Sequence, residues 1–541
     1  MGASSSTQQQ SSSQSQDHQQ QEESLAASTG SLPTLRAAFS KLSNPNSTIP
    51  IPSLQEVFST NTTSFSSESL AVPDQFPELI RHLGPSIVSL FFAPGDGGFS
   101  WVGFLRGYNR CCARKPLSQS INMLYKLYST ASREAGLTCS LEFDSDDDDD
   151  CGKVSGSFGS SDLLMFLWMC WIMMHCLRIT KQSKGEKDVL VLLDVTHMIL
   201  SALVSCNVIG DDAGIWNCDF LGLEKAIPVQ KLQTWVLTTA SGLASSLSHY
   251  VHQKVRACAA SSEENSDDIA TVSNSSTDVH DAYLLTRARA WAISLTLRSN
   301  LSEEFLGASF FGMGLENLLY RSSVHGKGLS RFWSCVEGYN GPLLILLSAN
   351  SADADEGGTS GRRWVIGVLT EQGFENRDTF FGSSGYLYAI HPIFHVLSPS
   401  GKEQNFMYCH LHPTVRVYEP NPKPFGLGFG GTIGNERIFV DEDFARVTIR
   451  HHAVDKTYQH GSLIPNQGFL PVEASIAEVE VWGFGGERAK EKQDAYKKRE
   501  VLFSEQRRKV DLKTFASWED SPEKMMMDMV SDPNRVRRED R

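Results

Sequence analysis

The chain reads as an α+β protein: an all-helical N-terminal region, then a β-sandwich-like domain of short strands, then a C-terminal helix. Three observations predict this. Apolar positions recur at helical spacing from Leu32 to about Leu306. Beyond Leu315 they give way to short runs punctuated by Gly, Pro and Asn, such as Leu343 to Leu347, Trp364 to Leu369, Tyr386 to Ile390, Phe406 to Cys409, Val415 to Tyr418, Ile438 to Val440 and Ile476 to Trp482. After the Gly485-Gly486 break, Glu487 to Leu512 carries i,i+4 pairs such as Asp494 with Lys498 and Glu505 with Lys509, the mark of an exposed helix.

A chain of 541 residues exceeds one core, since domains typically hold about 100–150 residues. Composition shifts divide it into a Ser/Gln-rich tail (1–30), a helical region (31–135), an acidic linker (136–160), a second helical region (161–258), a polar linker (259–280), a helical lead-in (281–312), the strand-rich domain (313–485) and a basic helix with a tail (486–541). The tail has almost no large apolar side chains to offset the entropy of ordering, so disorder is expected there and again in 519–541. The aspartates of 144–150, in a Ser/Gly context, read as a solvated, self-repelling linker.

A formal charge of −14 argues against nucleic acid as a partner, because phosphate neutralisation needs a basic face. Eleven scattered cysteines without a CxxC pair fit reduced thiols in the cytosol better than a disulfide framework or a thiolate zinc site. The run Leu163 to Leu177 is fifteen residues long, short of a roughly 30 Å hydrocarbon core, and reads as a buried helix with His175 as a core histidine.

Met1-Gly2-Ala3-Ser4-Ser5-Ser6 fits the N-myristoylation pattern, with Gly2 as the acylated residue. One acyl chain holds a membrane only marginally, so attachment is expected to be reversible or to need a second contact. Between Leu32 and Ala131, two stretches resemble an EF-hand pair in hydrophobic layout. With Ile51 at the eighth loop position, the nominal ligands of the first are Asn44, Asn46, Thr48 and Gln55; with Phe99 there, those of the second are Phe92, Pro94, Asp96 and Gly103. A single carboxylate across both loops cannot supply the hard oxygens calcium needs, and no calcium binding is expected.

The motifs Leu318 to Ser323, Gly367 to Glu375, Phe381-Gly382 with Tyr386 to Tyr388, Gly426 to Gly431, Ile438 to Phe444 and Ile476 to Trp482 follow one another in the strand-rich domain in an order that resembles the TLDc family. Leu318-Leu319-Tyr320-Arg321-Ser322-Ser323 is similar to the opening segment. Gly367-Val368-Leu369-Thr370-Glu371-Gln372-Gly373-Phe374-Glu375 is similar to the family's T-x-Q segment, with Thr370, Gln372 and Glu375 as motif residues. Phe381-Gly382 with Tyr386-Leu387-Tyr388 resembles the next elements. Gly426, Gly428, Gly430 and Gly431 resemble its glycine-rich turn, Ile438 to Phe444, with Asp441, the strand after it, and Ile476 to Trp482 the closing strand. Val368 and Phe374 depart from the usual Gly and Trp. In the closing strand Ala477, Val479 and Val481 alternate with Glu478 and Glu480, which predicts one buried and one solvated face.

Other chemistry finds less support. The glycine run lacks a following Lys-Ser/Thr and a helix, so it reads as a sheet corner and not a phosphate loop. His410, His412, His451, His452 and His460 have no acid or cysteine at metal-ligand spacing. No nucleophile elbow or Cys-His signature marks a catalytic site. On the C-terminal helix, Lys497, Lys498, Arg499, Arg507 and Arg508 beside Val501, Leu502 and Phe503 form either a partner-binding arm or a segment folded back on the domain.

The whole layout resembles a myristoylated, EF-hand-like branch of the TLDc family associated with mTOR signalling at the lysosome. That resemblance implies a non-enzymatic interaction protein without cofactor or metal. It implies binding to V-ATPase subunits, a role in oxidative-stress resistance, and residence in the cytoplasm and on the cytosolic face of lysosomal or vacuolar membranes. A peroxide-handling enzyme and a structural membrane tether stay open as alternatives.

Overall fold

The computed structural model describes residues 6–519 except 30, 61, 63, 96, 145–152, 183–188, 211–212, 224, 261–282, 299, 352–361, 413–421 and 452–454, together with 524, 526, 527 and 530. Gly2, the aspartates of 145–150, the polar linker of 261–276, the strand expected at 415–418 and most of 519–541 lie outside the described residues.

The N-terminal region is built from α1 (Ser6–Ser28), α2 (Leu32–Leu42), α3 (Ile51–Val57), β1 (Ser64–Ser67), α4 (Phe76–Phe91), α5 (Trp101–Cys112) and α6 (Leu117–Glu134). Composition argued for disorder over 3–30, yet α1 is helical and its second half rests on α5, with Ala26 fully buried. Composition failed here because tertiary contacts, which it cannot reveal, supply the stability of a polar helix. The two helix–loop–helix units are joined through their loops: Ile49 and Phe99 exchange both backbone N–H···O bonds at 2.9 Å. Ile49 therefore stands opposite Phe99, where the sequence reading had placed Ile51. The correction shifts the first loop by two residues and puts Leu42, Asn44, Asn46 and Ser53 at the nominal ligand positions, still without a carboxylate.

The expected 136–160 linker instead contains a hairpin of β2 (Leu141–Phe143) and β3 (Val154–Phe158). Then come α7 (Ser160–Met174), α8 (Cys176–Gln182), β4 (Val189–Leu192), α9 (Thr196–Ser205), β5 (Ile227–Pro228), α10 (Val229–Thr239), α11 (Ser246–Ala259), α12 (Arg287–Ser294) and α13 (Asn300–Phe311). β4 pairs in parallel with β1 and β5 with β3, so the second helical region carries short strands that the sequence reading lacked. Helix α7 is buried on all sides from Leu163 to Met174, as its apolar composition demands. Among the described residues no helix is long and apolar enough to cross a membrane. His175 is a satisfied core residue, bonded to Ser309 Oγ at 2.8 Å and to Arg178 at 3.0 Å.

Beyond this lie β6 (Leu318–Arg321), α14 (Ser322–His325), α15 (Leu329–Val336), β7 (Leu343–Ser351), β8 (Arg363–Thr370), β9 (Arg377–Phe381), β10 (Gly385–His391), β11 (His395–Leu397), β12 (Met407–His410), β13 (Gly426–Thr432), β14 (Asn435–Asp441), β15 (Arg446–Ile449), β16 (Val472–Gly483) and α16 (Gly486–Glu519). β6 to β16 form one antiparallel sheet in the order β11-β10-β8-β7-β16-β15-β14-β13-β12-β9, with β6 also on β16. β16 is its spine, pairing with β15 through Val472–Ser475, with β7 through Ala474–Gly483 and with β6 near Trp482.

Alternate residues of the central strands enter two different cores. Ile345, Leu347, Trp364, Ile366 and Val368 pack inward against Phe429, Ile438 and Val440 of the other half of the sheet. Leu344, Leu346, Val365, Leu369, Tyr388 and Ile390 face outward and join the core of the helical region. This explains the unbroken apolar run Leu343 to Leu347: a strand buried on both faces has no polar face to alternate with.

Two sequence expectations for this sheet are corrected. In β16 a bulge between Ile476 and Glu478 interrupts the period of two. Ile476 and Val479 are buried while Ala477 is exposed, and Glu480 is completely buried instead of facing solvent. The run from Gly426 to Gly431 is a buried strand and not a turn. Its bends are internal: Gly430 and Gly431 have φ of +68° and +78°, and a side chain on Gly430 would come within 2.9 Å of the Asp455 carboxylate.

Candidate functional site

The motif residues of the strand-rich domain are spread over several corners. Thr370, 1 % exposed at the end of β8, donates to the carbonyl of Gln372 at 2.9 Å and so closes the turn after the strand. Phe374 is buried edge-on to Phe332, at 5.1 Å, so an aromatic in place of the family's Trp still fills this core. Glu375 lies at the surface and pairs with Arg377. Asp441 Oδ1 accepts from the backbone N–H groups of Ala445 (2.8 Å) and Arg446 (3.2 Å), which fixes the β14–β15 turn and the positive φ of Phe444. Trp482 is buried and donates from Nε1 to Glu480 at 3.0 Å. Turn closure, core filling and capping are the visible work of these residues.

Behind Gly430 and Gly431 lies a fully buried ion pair. Arg437 donates to Asp455 Oδ2 at 3.2 Å and to the carbonyl of Gln459 at 2.8 Å, while Asp455 Oδ1 accepts from Thr457 N–H at 2.8 Å. These bonds pin the segment whose Asp455, Lys456, Tyr458, Gln459 and His460 wall a cleft of about 700 Å³ together with Pro399, Ser400 and Lys402. A second cleft, of about 420 Å³, lies along β9 between Asn376–Thr379 and His410–Leu411.

The histidines pack instead of converging. His410 and His412 lie against Phe425 at 4.8 and 4.7 Å, and His451 stacks on Phe469 at 5.2 Å; His452 is outside the described residues. Among the described residues no three His, Cys, Asp or Glu side chains are placed to share a metal ion. Burial pushes the thiols of Cys112 and Cys170 up to about 12 and those of Cys176 and Cys206 up to about 11; Cys409 is raised as well. A peroxide-reactive cysteine needs the opposite shift.

Where the helical region meets the sheet, the contact is directional as well as apolar. Glu480 Oε1 accepts from Leu284 N–H at 2.9 Å, and its other oxygen from Leu285 N–H at 3.4 Å. Arg321 stands 3.7 Å away and lies over the Tyr283 ring at 4.5 Å. Phe305 of α13 stacks on Phe484 with ring centres 4.0 Å apart, and Thr296 and Tyr388 share a hydrogen bond of 3.0 Å. His197 accepts through its carbonyl from Phe394 N–H at 3.0 Å. Sequence reasoning missed this joint, because the bulge that turns Glu480 inward leaves no mark in the hydrophobic pattern.

The C-terminal helix divides in two. Its base folds back: Ala489 is buried, Gln493 donates to the carbonyls of Cys335 (2.8 Å) and Glu337 (3.1 Å), Tyr496 donates to the Glu337 carboxylate (2.9 Å), and Lys497 reaches the Cys335 carbonyl (3.3 Å). Past Lys497 it leaves the domain. Val501, Leu502 and Phe503 are 58 %, 57 % and 55 % exposed, and Lys498, Arg499, Arg507 and Arg508 surround them. Of the basic residues singled out from the sequence, Lys497 belongs to the docked base and the others to the projecting part.

Residues 296–485 match the family model of the TLDc domain. The match begins upstream of Met313, the start expected from the sequence, and takes in α13, in keeping with the Phe305–Phe484 and Thr296–Tyr388 contacts. The chain is similar to MTOR-associated protein MEAK7 of Danio rerio, 23 % identical over 186 residues, which is 34 % of this chain and 36 % of that protein. It is similar also to MTOR-associated protein MEAK7 of Homo sapiens, 26 % identical over 170 residues, 31 % of this chain and 32 % of the relative. The chain thus matches about a third of the length of these curated relatives. Residues 296–485 of this chain are a TLDc domain.

Proposed function

We propose that the chain is a non-enzymatic regulator that binds the V-ATPase through its TLDc domain and C-terminal arm, at the cytosolic face of lysosomal or vacuolar membranes. Roles in mTOR-type signalling or oxidative-stress resistance follow from that position. The observation that carries the reading is the divided arm. A helix anchored at its base and projecting Val501, Leu502 and Phe503, exposed among Lys498, Arg499, Glu500, Glu505, Arg507 and Arg508, offers a partner apolar and charged contact area clear of the domain. The TLDc match and the mTOR association that the relatives are named for support a regulatory interaction protein. An N-terminal acyl chain on Gly2 would bring the protein to the membrane reversibly.

Affinity purification in mild detergent tests this. The full chain is expected to recover V-ATPase subunits, and a chain ending at Lys498 to lose them while its TLDc domain melts as before. Failure of the full chain to recover any V-ATPase subunit would overturn the proposal. Gly2→Ala is expected to move the protein from membrane to soluble fractions; a variant that stays on membranes would remove acylation from the account.

A further inference from the structure

The N-terminal helix poses a question that the TLDc reading does not answer. A Ser/Gln-rich segment has no reason of its own to be ordered, yet the second half of α1 lies along α5 with specific partners. Glu22 receives two bonds from Asn109 Nδ2, at 2.8 Å on its carboxylate and 2.9 Å on its carbonyl, and pairs with Arg106 at 3.3 Å. Glu23 accepts from Trp101 Nε1 at 2.8 Å and pairs with Arg36 of α2 at 3.3 Å. Ala26 is fully buried beneath them. Trp101 is itself held edge-on by Phe39 at 5.2 Å, so the donor that meets Glu23 is fixed by both units of the helix–loop–helix pair.

Two features set this apart from incidental packing. The charges are complementary: two adjacent glutamates of the helix meet Arg36, Arg106, a tryptophan N–H and an asparagine amide on the receiving surface. The receiving surface also belongs to the pair whose loops are joined by Ile49 and Phe99 and hold only one carboxylate, Asp96, at their nominal ligand positions. Paired helix–loop–helix units that bind calcium use the ion to expose a groove for a target helix. Here the nominal ligand positions hold a single carboxylate and a helix is already seated.

We propose that the helix–loop–helix pair is a calcium-independent docking site for an acidic helix, filled in this chain by its own N-terminal helix. A second acidic helix that competes for Arg36, Trp101, Arg106 and Asn109 releases α1. Because the contacts are mostly polar and, among the described side chains of α1, only Ala26 is a buried apolar anchor, the seat is reversible by construction. While seated, α1 is a rod; the stretch from Ser6 to Ala26 spans about 30 Å at 1.5 Å per residue. Ser6 is then held at a set distance and direction from the pair, and on release the helix becomes a loose tether. This inference needs neither acylation of Gly2 nor binding to the V-ATPase.

Hydrogen-exchange mass spectrometry on the full chain tests it. Residues 16–28 are expected to exchange at least about tenfold more slowly than the same sequence as a free peptide, equally in calcium and in chelator. Glu22→Lys with Glu23→Lys should abolish that protection, and adding Arg36→Glu with Arg106→Glu should restore it, a rescue that general damage to the fold would not produce. A labelled peptide of residues 16–28, followed by fluorescence anisotropy, should bind a chain lacking residues 1–28 and not the full chain. Free-peptide exchange in the unmodified protein, protection that survives charge reversal, or equal peptide binding to both chains would each overturn the proposal. If the shortened chain fails to fold, the exchange measurements on full-length protein still decide.

Discussion

The central strands of the TLDc sheet have two faces with different interiors. Inward, Trp364, Ile366 and Val368 meet the other half of the same sheet in a core whose buried charge is the Arg437–Asp455 pair behind the glycines. Outward, Val365, Leu369, Tyr388 and Ile390 meet the helices, and this layer holds Glu480 and His197 as well as apolar side chains. The inner face is fixed by packing, and any well-shaped apolar set would hold it. At the outer face two units must meet in one position, and the bonds from Leu284 and Leu285 to Glu480 give that position a direction which apolar contact alone lacks.

Deletions on the two faces should separate these roles. Trp364→Ala removes a side chain 1 % exposed from the inner core and is expected to cost about 3–5 kcal/mol, lowering the melting temperature of the whole sheet in one transition. Phe484→Ala, at the joint, removes the partner of Phe305. It is expected to cost about 3 kcal/mol and to split calorimetric unfolding into two steps, the helical region loosening while the sheet persists. A single shared transition for both variants would mean that joint and core are one cooperative unit.

A smaller effect is expected from Glu480→Gln. The amide must place its NH2 either against the N–H groups of Leu285 and Trp482 or against that of Leu284, so at least one buried donor is left unmatched, at about 1–3 kcal/mol by urea unfolding. An unchanged midpoint would show that the carboxylate does not define the joint.

The smallest effect depends on pH. Burial, followed by the field of Arg289, depresses His197 from its ordinary value to about 3. The unfolded chain takes up a proton near pH 6.5 that the folded chain refuses. Stability is therefore present above that pH and falls as pH drops below it, by about 2 kcal/mol between pH 6.5 and 5. His197→Gln should flatten this part of the stability curve; an identical slope in the variant would assign it to other groups.

Much of the architecture was legible from local pattern. The alternating runs, the all-apolar α7 and the pairing of two helix–loop–helix units follow from periodicities of 2.0 and 3.6, which survive whatever lies around them. What escaped depends on contacts between distant residues. Helix α1 needs Trp101 and Asn109 to be stable. The burial of Glu480 needs a bulge, whose extra residue looks like any other until its neighbour strand is placed. The glycine run read as a corner because Gly permits one, yet it forms a strand with bends inside it. Position Ile49 was misassigned by two residues because two β-branched side chains, Ile49 and Ile51, fit the loop pattern equally from sequence. At the site level, the motif residues could be found but their work could not: Thr370 and Asp441 prove to be turn closers through backbone bonds that no side-chain spacing encodes.

The position of β16 in the chain bears on how the domain is made. It is the last strand of the sheet in sequence order among the described residues, and it fills the gap between β15, β7 and β6. During synthesis β6 to β15 emerge first and can form hairpins such as β7–β8 and β13–β14, but the two halves of the sheet share no spine until Val472–Gly483 follows. At about 5–20 residues per second the interval between completing β7 and completing β16 lasts on the order of ten seconds, during which the backbone edges of β7 and β15 and the apolar faces of both halves stay open. A nascent chain of this protein thus passes through a stage in which its longest apolar strand, Leu343–Ser351, is available to any other strand in reach, and shielding by chaperones matters most in the interval that β16 ends.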